Sequence, residues 1–313
     1  MEPKLTVLTG DCLELLKNID DNTINCCVTS PPYYGLRDYG VDGQIGLETD
    51  PHEYINKLVA VFAEVKRVLR DDGVLWINIG DTYAGSGKGI WNNKEAQIES
   101  YVPDPKGPQS KIPKTWAEHG IKAKDLIGIP WMLAFALRAH GWYLRQDIIW
   151  HKPNAMPSSV KDRCTTSHEY LFLLSKSKNY YFDHEILLEP SIKSNKQPEK
   201  VNRTRDKCRV KNGVCVRNKR SVWSINTRPY KDAHFAVFPP ELVESCILSG
   251  CPPQGIVLDP FGGTGTTGGV AIANNRNAIL CELNHEYVKL VHKRIDSIKN
   301  EREQTLNKIK VEY

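Results

Sequence analysis

DPFGGTGTTG, residues 259–268, decides how the rest of the chain is read. It follows GIVLD (255–259), a short apolar run with the β-branched content of a strand. It continues into TGTTGGVAIANN (264–275), a stretch suited to a helix. Gly263, Gly265 and Gly268 fit the spacing G-x-G-x-x-G. Glycine suits such a turn because the backbone bends sharply and must let a ligand approach closely. Glu282 ends the next apolar run, AILCE (278–282), 23 residues after Asp259. A carboxylate there can accept from two vicinal ribose hydroxyls together. Strand, glycine turn, helix and spaced acid, in that order, predict a site for an adenosine-containing cofactor. A nicotinamide dinucleotide is one candidate, although this unit lies near the C-terminal end with one further strand after it.

Outward from this loop the chain alternates. LTVL (5–8) and TINCCVTS (23–30) read as strands. Residues 52–70 repeat Ile55, Leu58, Val59, Phe62, Val65, Val68 and Leu69 at helical spacing. Asp72-Gly73 predicts a turn into VLWINIG (74–80), a buried strand. Residues 128–140 predict a helix with an early proline and Gly141 as its stop. Residues 143–154 and 168–177 predict two strands, and 237–249 a helix opening on prolines. A last helix is expected over 285–300. Such alternation predicts one α/β domain over 1–313, with a mostly parallel sheet covered on both faces. Two stretches break the pattern, 84–124 and 155–232, and are expected to be insertions or functional loops.

Composition narrows the classes. The chain has 313 residues, 40% hydrophobic and 25% charged, as in an ordinary globular protein. No run of eighteen apolar residues predicts a membrane span, and MEPKLTVLTGD lacks an export signal. Nine cysteines without a CxxC argue against a zinc knuckle and for reduced thiols in a cytoplasm. Net charge is +5, yet Lys193–Lys231 holds thirteen Lys or Arg against Glu199 and Asp206. That window is +11, which leaves −6 for the rest. It is either a solvated insertion or a surface that neutralises phosphates.

The entrance Asp259-Pro260-Phe261 gives the loop the form D-P-F-x-G-x-G-T-T, which resembles S-adenosylmethionine (SAM) methyltransferases. A second stretch, TSPPYYG (29–35), contains Ser30-Pro31-Pro32-Tyr33 at a strand end. Together the two stretches resemble the DNA amino-methyltransferases, whose catalytic motif is (D/N/S)-P-P-(Y/F/W). Catalytic motif before cofactor motif resembles the permuted β group of that family. The resemblance implies a Rossmann-like fold and SAM as cofactor. Asp259, Pro260, Phe261, Gly263, Thr264 and Gly265 would wrap its amino-acid moiety, and Glu282 its ribose. It implies no metal.

The same resemblance implies that the target is an exocyclic amine in double-stranded DNA. Such an amine is a poor nucleophile because its lone pair is delocalised into the ring. Ser30 Oγ and the Pro31 carbonyl would draw it towards tetrahedral geometry. Pro32, with no N–H and a fixed φ, would keep the corner stiff, and Tyr33 would stack on the base. Direct transfer then depends on holding nitrogen and methyl ~3–3.5 Å apart, with the base flipped out of the duplex. The region 155–232 would recognise the target sequence. Serine at position 30 points to cytosine N4, with adenine N6 as the alternative.

Other positions follow more loosely. Asp11 would meet the adenine of SAM or cap a helix. Phe238 would close over the methionine end or pack in the core. His151, in Trp150-His151-Lys152-Pro153-Asn154, would hydrogen-bond at the pocket rim or act as a general base; Asp81 would line the pocket or cap a turn. LRDYG (36–40) and GQIGLE (43–48) would fold over substrate or cofactor, with Arg37 on a phosphate or paired with Asp38 or Glu48. The cytoplasm of a bacterium or archaeon, or a phage-encoded origin, is expected; whether a cognate restriction endonuclease accompanies the chain stays open, as do monomer and dimer. Two rivals carry different readings: a nicotinamide-dependent oxidoreductase, and a DNA-binding protein with an inert SAM fold.

Overall fold

The strand before SPPY and the strand before the glycine loop are neighbours. The computed structural model describes residues 2–84, 114–191, 209–211, 213–228 and 238–311. In chain order the first half holds β1 (Leu5–Thr9), α1 (Cys12–Leu16), β2 (Ile24–Thr29), α2 (Pro51–Val68) and β3 (Leu69–Ile79). Then come α3 (Lys114–Glu118), α4 (Ile129–Ala139), β4 (Tyr143–His151) and β5 (His168–Ser175). The short strands β6 (Leu188–Pro190), β7 (Arg209–Lys211), β8 (Val214–Asn218) and β9 (Val222–Ser224) follow. The chain closes with α5 (Pro240–Gly250), β10 (Ile256–Asp259), α6 (Thr266–Ala273), β11 (Asn277–Glu282) and α7 (His285–Val311).

Eight strands form one sheet in the order β1-β11-β10-β2-β3-β5-β4-β9. Only β5 runs against the rest, between β3 and β4. Parallel pairing puts Cys26 opposite Val257 and Cys27 opposite Leu258. Both strands therefore deliver their C-terminal ends, Thr29 and Asp259, to the same edge. Ligands in open α/β sheets bind at that edge.

The period of two along β2 explains its cysteines: Cys27 packs into the core on one face, Cys26 and Val28 into the core on the other. On the first face α2 lays down Tyr54, Leu58, Phe62 and Val65, all fully buried. Asp50 caps α2 by accepting from His52 N at 2.6 Å, and Pro51 opens it. On the second face stand Leu242, Cys246, Ile247, Val270 and Ile298 from α5, α6 and α7. Each such side chain contributes about 1.5–3 kcal/mol by leaving water. A parallel sheet needs both covers, and both are present.

Several expectations are corrected. The Asp72-Gly73 turn is a bulge inside β3, where Ile24 pairs with Leu69 but Cys26 already pairs with Val74. The stretch 155–232 is not one insertion: β5 sits inside the main sheet and β9 extends its far edge. What stands apart is a three-stranded sheet, β6-β8-β7. Cys215 is disulfide-bonded, against the expectation of reduced thiols throughout. Among the described free cysteines only Cys164, on the loop between β4 and β5, is exposed. No helix among the described residues is long and apolar enough to cross a membrane. Most of 84–124, and most of the basic stretch before Arg209, lie outside the described residues.

Candidate active site

Asp259 ties the two motifs together. Thr29, the last residue of β2, donates from Oγ1 to Asp259 Oδ1 at 2.6 Å. Thr267, in the first turn of α6, donates to Oδ2 at 2.6 Å, and Phe261 N donates to Oδ1 at 3.0 Å. The residue is 1% exposed. Burial pushes its pKa up to about 6, while the three donors pull the other way. Both oxygens face the chain's own donors, so this carboxylate latches β2, β10 and α6 at one point. Serine-proline corner and glycine loop are thereby adjacent.

The loop glycines divide into two kinds. A Cβ at Gly262 would lie 2.9 Å from Leu280 Cβ, one at Gly265 2.8 Å from Val291, and one at Gly268 2.9 Å from Leu280. Those three are glycine because protein is in the way. Gly263, left-handed at φ +52° as Gly265 is at +92°, differs in that its Cβ would meet nothing nearer than Phe261 O at 4.0 Å. It faces open space, which is the position of close ligand approach. Its N–H donates to Glu282 Oε2 at 2.7 Å, and Asn284 N donates to Oε1 at 2.8 Å. Burial raises the Glu282 pKa, opposed by those N–H groups. A carboxylate has about four lone-pair sites, so two stay available for hydroxyl donors. Pro260 is buried, Phe261 is half-buried, and Thr264 is 3% exposed with its hydroxyl enclosed and unpartnered on the protein. An open glycine bonded to a half-buried carboxylate at the end of the next strand fits the adenosine cofactor expected there.

At the other motif, Ser30 and Pro32 are half-buried and Pro31 is buried. Tyr54 Oη donates to the Pro32 carbonyl at 2.8 Å. The Pro31 carbonyl has no partner among the described residues. Tyr33 packs its ring where a side chain on Gly80 would stand, 2.8 Å from the absent Cβ. Its hydroxyl donates to Glu169 Oε2 at 2.7 Å. Burial first, and the Glu169 charge second, hold its pKa well above the ordinary tyrosine value.

The remaining expectations resolve unevenly. Asp11 caps α1, accepting from Leu13 N at 2.8 Å and Glu14 N at 3.2 Å, beside the Thr9–Glu282 pair of β1 and β11. Phe238 is half-buried against the core under α5. Asp81 caps α4, accepting from Gly128 N and Ile129 N, each at 3.0 Å. His151 bonds Ser224 Oγ at 3.0 Å where β4 meets β9. Glu48 is engaged by Lys57 at 3.0 Å and by Gly46 N at 2.8 Å.

The 36–48 loop reaches the start of α7. Tyr39 meets Tyr287 edge-on, centroids 6.3 Å apart at 84°. Burial raises both phenols, with Glu282 adding to each; Tyr287 reaches about 12. Sequence reasoning missed Tyr39, Tyr287, Glu169 and Asn78, none of which carries a spacing signal.

The described part of the basic region is largely paired within the chain. Glu185 takes Arg209 and Lys211, Glu189 takes Arg217 at 2.9 Å and Arg220 at 3.2 Å, and Arg228 takes Glu241 and Glu301. Lys219 lies over the Trp223 ring at 4.2 Å. Among the described residues no group of His, Cys, Asp or Glu is placed to hold a metal ion.

A Rossmann-like mixed sheet with a proline corner beside a glycine loop is the arrangement of a methyltransferase. Comparison with known proteins agrees. The family model described as DNA methylase, for N6 and N4 enzymes, matches residues 24–293. Type II methyltransferase M.Cfr9I of Citrobacter freundii is 46% identical over 291 residues, 93% of this chain and 87% of that protein. Type II methyltransferase M.SmaI of Serratia marcescens is 47% identical over 289 residues, 92% and 90%. The chain belongs to this DNA methylase family. Among solved structures, PvuII DNA methyltransferase (cytosine-N4-specific) superposes with a TM-score of 0.63 at 20% identity, covering 98% of this chain and 95% of that one. A DNA modification methylase of Thermus thermophilus, described as such and complexed with S-adenosyl-L-methionine, gives 0.58 at 22%, covering 95% and 96%.

Proposed function

We propose that this DNA methylase uses SAM to methylate the N4 amine of cytosine in duplex DNA, after flipping the base out. The observation that carries the proposal is the Thr29–Asp259–Thr267 latch, which puts a serine-headed proline corner beside the open glycine. SAM would supply an electrophilic methyl group; Gly263 and Glu282 would hold it, with Tyr39 and Tyr287 beside the carboxylate. Ser30 Oγ and the Pro31 carbonyl accept from the two amine hydrogens and localise the nitrogen lone pair. Pro32 cannot compete for those acceptors, lacking an N–H, and Tyr54 occupies its carbonyl. The corner is thus preorganised, and holding the reacting atoms in line supplies most of the acceleration. Tyr33 offers its ring to the flipped base.

Serine at position 30 favours cytosine, and PvuII methyltransferase, described as cytosine-N4-specific, shares the fold. The type II relatives suggest a companion restriction endonuclease of the same target sequence. Arginines and lysines of 193–231 would contact phosphates, offsetting a flipping cost of about a few kcal/mol. The test is nucleoside analysis of DNA from cells expressing the chain. N4-methylcytosine is expected; N6-methyladenine alone would overturn the base assignment.

A further inference from the structure

Behind the proline corner sits a group of polar side chains that the reaction so far leaves unused. Lys152 and Glu169 form an ion pair on the adjacent ends of β4 and β5, with side chains 18% and 16% exposed. Lys152 also lies over the Trp150 ring, 4.3 Å from its centre. Asn78, 2% exposed on β3, donates from Nδ2 to Glu169 Oε2 at 3.1 Å and to the Tyr170 carbonyl at 3.2 Å. All of this converges on one phenol, that of Tyr33.

Donor and acceptor rules set the direction of the chain. Glu169 is flanked by an ammonium and an amide N–H, and as a carboxylate it only accepts. Asn78 spends its N–H groups on Glu169 and Tyr170, so its Oδ1 faces Tyr33 Oη, 3.3 Å away. Two acceptors therefore surround a hydroxyl with one proton. That proton goes to the nearer and charged one, Glu169 Oε2 at 2.7 Å. Towards any neighbour that carries a hydrogen, Tyr33 Oη is then an acceptor. The hydroxyl that approaches it is Ser30 Oγ, at 3.5 Å, a long contact that still orients a rotor. A serine with its hydrogen turned towards Tyr33 keeps its lone pairs for the other side. Amine activation requires that state, because a serine presenting its hydrogen to the amine would oppose it.

We infer that Glu169, held by Lys152 and Asn78, is a positioning residue that makes Tyr33 a donor and so keeps Ser30 Oγ an acceptor for the target amine. The inference rests on the proposed methyl transfer. Glu169 acts through Tyr33 and touches neither base nor cofactor.

Single-turnover transfer of tritiated methyl to duplex DNA tests it, with SAM and DNA affinities measured separately. Glu169→Gln is expected to slow transfer roughly 10- to 100-fold, with both affinities held within about two-fold. The pair Glu169→Gln with Lys152→Met strands no buried charge and is expected to be equally slow. Tyr33→Phe keeps the ring but removes the link. The double variant Tyr33→Phe with Glu169→Gln is therefore expected to be no slower than Tyr33→Phe alone. Wild-type speed in Glu169→Gln overturns the inference. So does a parallel loss of SAM and DNA affinity, which marks a packing role, or losses that multiply in the double variant. A wild-type chain that transfers methyl to no duplex would overturn the proposed function and this inference together.

Discussion

Asp259 and Glu189 are both carboxylates with several donors, and the molecule uses them in opposite ways. Asp259 is enclosed, its partners are two hydroxyls and an amide, and no cation neutralises it. Glu189, on the small outlying sheet, is 28% exposed and engaged by two guanidinium groups. The first arrangement fixes three elements to each other and has no alternative partner. The second is a surface pair worth about 0–1 kcal/mol, whose arginines can exchange a carboxylate for a phosphate at little cost. Geometry is held where chemistry is expected, and exchangeable charge where recognition is expected.

That contrast can be broken most severely at its buried end. Asp259→Ala leaves two enclosed hydroxyls without an acceptor and is expected to cost about 3 kcal/mol in urea denaturation, with methyl transfer lost. The pH response of Asp259→Asn sharpens the point. The folded pKa of Asp259, about 6, exceeds the ordinary 3.8, so the folded state holds the proton longer. Wild-type stability should therefore fall relative to Asp259→Asn as pH rises from about 4 to 6. A difference that is flat across this range would deny the carboxylate its burial.

Tyr33→Ala comes next. Transfer should drop roughly 100-fold while SAM affinity stays nearly constant. Equal loss of both would erase the separation between corner and loop. The two kinds of loop glycine give an unequal pair of effects. Gly265→Val, driven against Val291 and held at a left-handed φ of +92°, should cost about 3 kcal/mol of stability, with SAM binding failing because α7 is displaced. Gly263→Ala should cost only about 1 kcal/mol of left-handed strain yet still weaken SAM in calorimetry. Unchanged SAM affinity in Gly263→Ala would move the cofactor off this turn. The smallest stability effect belongs to the exposed end. Arg217→Ala with Arg220→Ala should change stability by about 0.5 kcal/mol or less. The same pair should make the slope of log affinity for DNA against log salt shallower by about 2. An unaltered slope would remove the small sheet from the interface.

How much of this the chain spells out locally depends on the element. The strands of the main sheet were legible because β-branched and apolar runs ending in turn signals are what a doubly covered sheet requires. β9 was not, since three residues, Val222–Ser224, are too few for a period. In the site, Ser30, Gly263 and Glu282 stand in local patterns and could be read. The tripeptide His-Glu-Tyr shows why the rest could not. It occurs at 52–54, 168–170 and 285–287. Glu53 lies on the exposed side of α2, Glu169 anchors Tyr33 from 136 residues away, and Tyr287 stands beside Glu282. Nothing within the triplet distinguishes these uses; each is assigned by what the sheet brings alongside. The glycine loop was half legible, its turn predicted, its division into packing and open positions visible only once Leu280 and Val291 were in place.

The loop between β4 and β5 has a practical use. Burial pushes the thiols of Cys251 and Cys281 up to about 12 and holds Cys26 and Cys27 well above the ordinary range. Among the described free cysteines Cys164 alone is exposed, so a maleimide dye applied to the folded protein should label it ahead of these buried thiols, giving an optical handle on that loop.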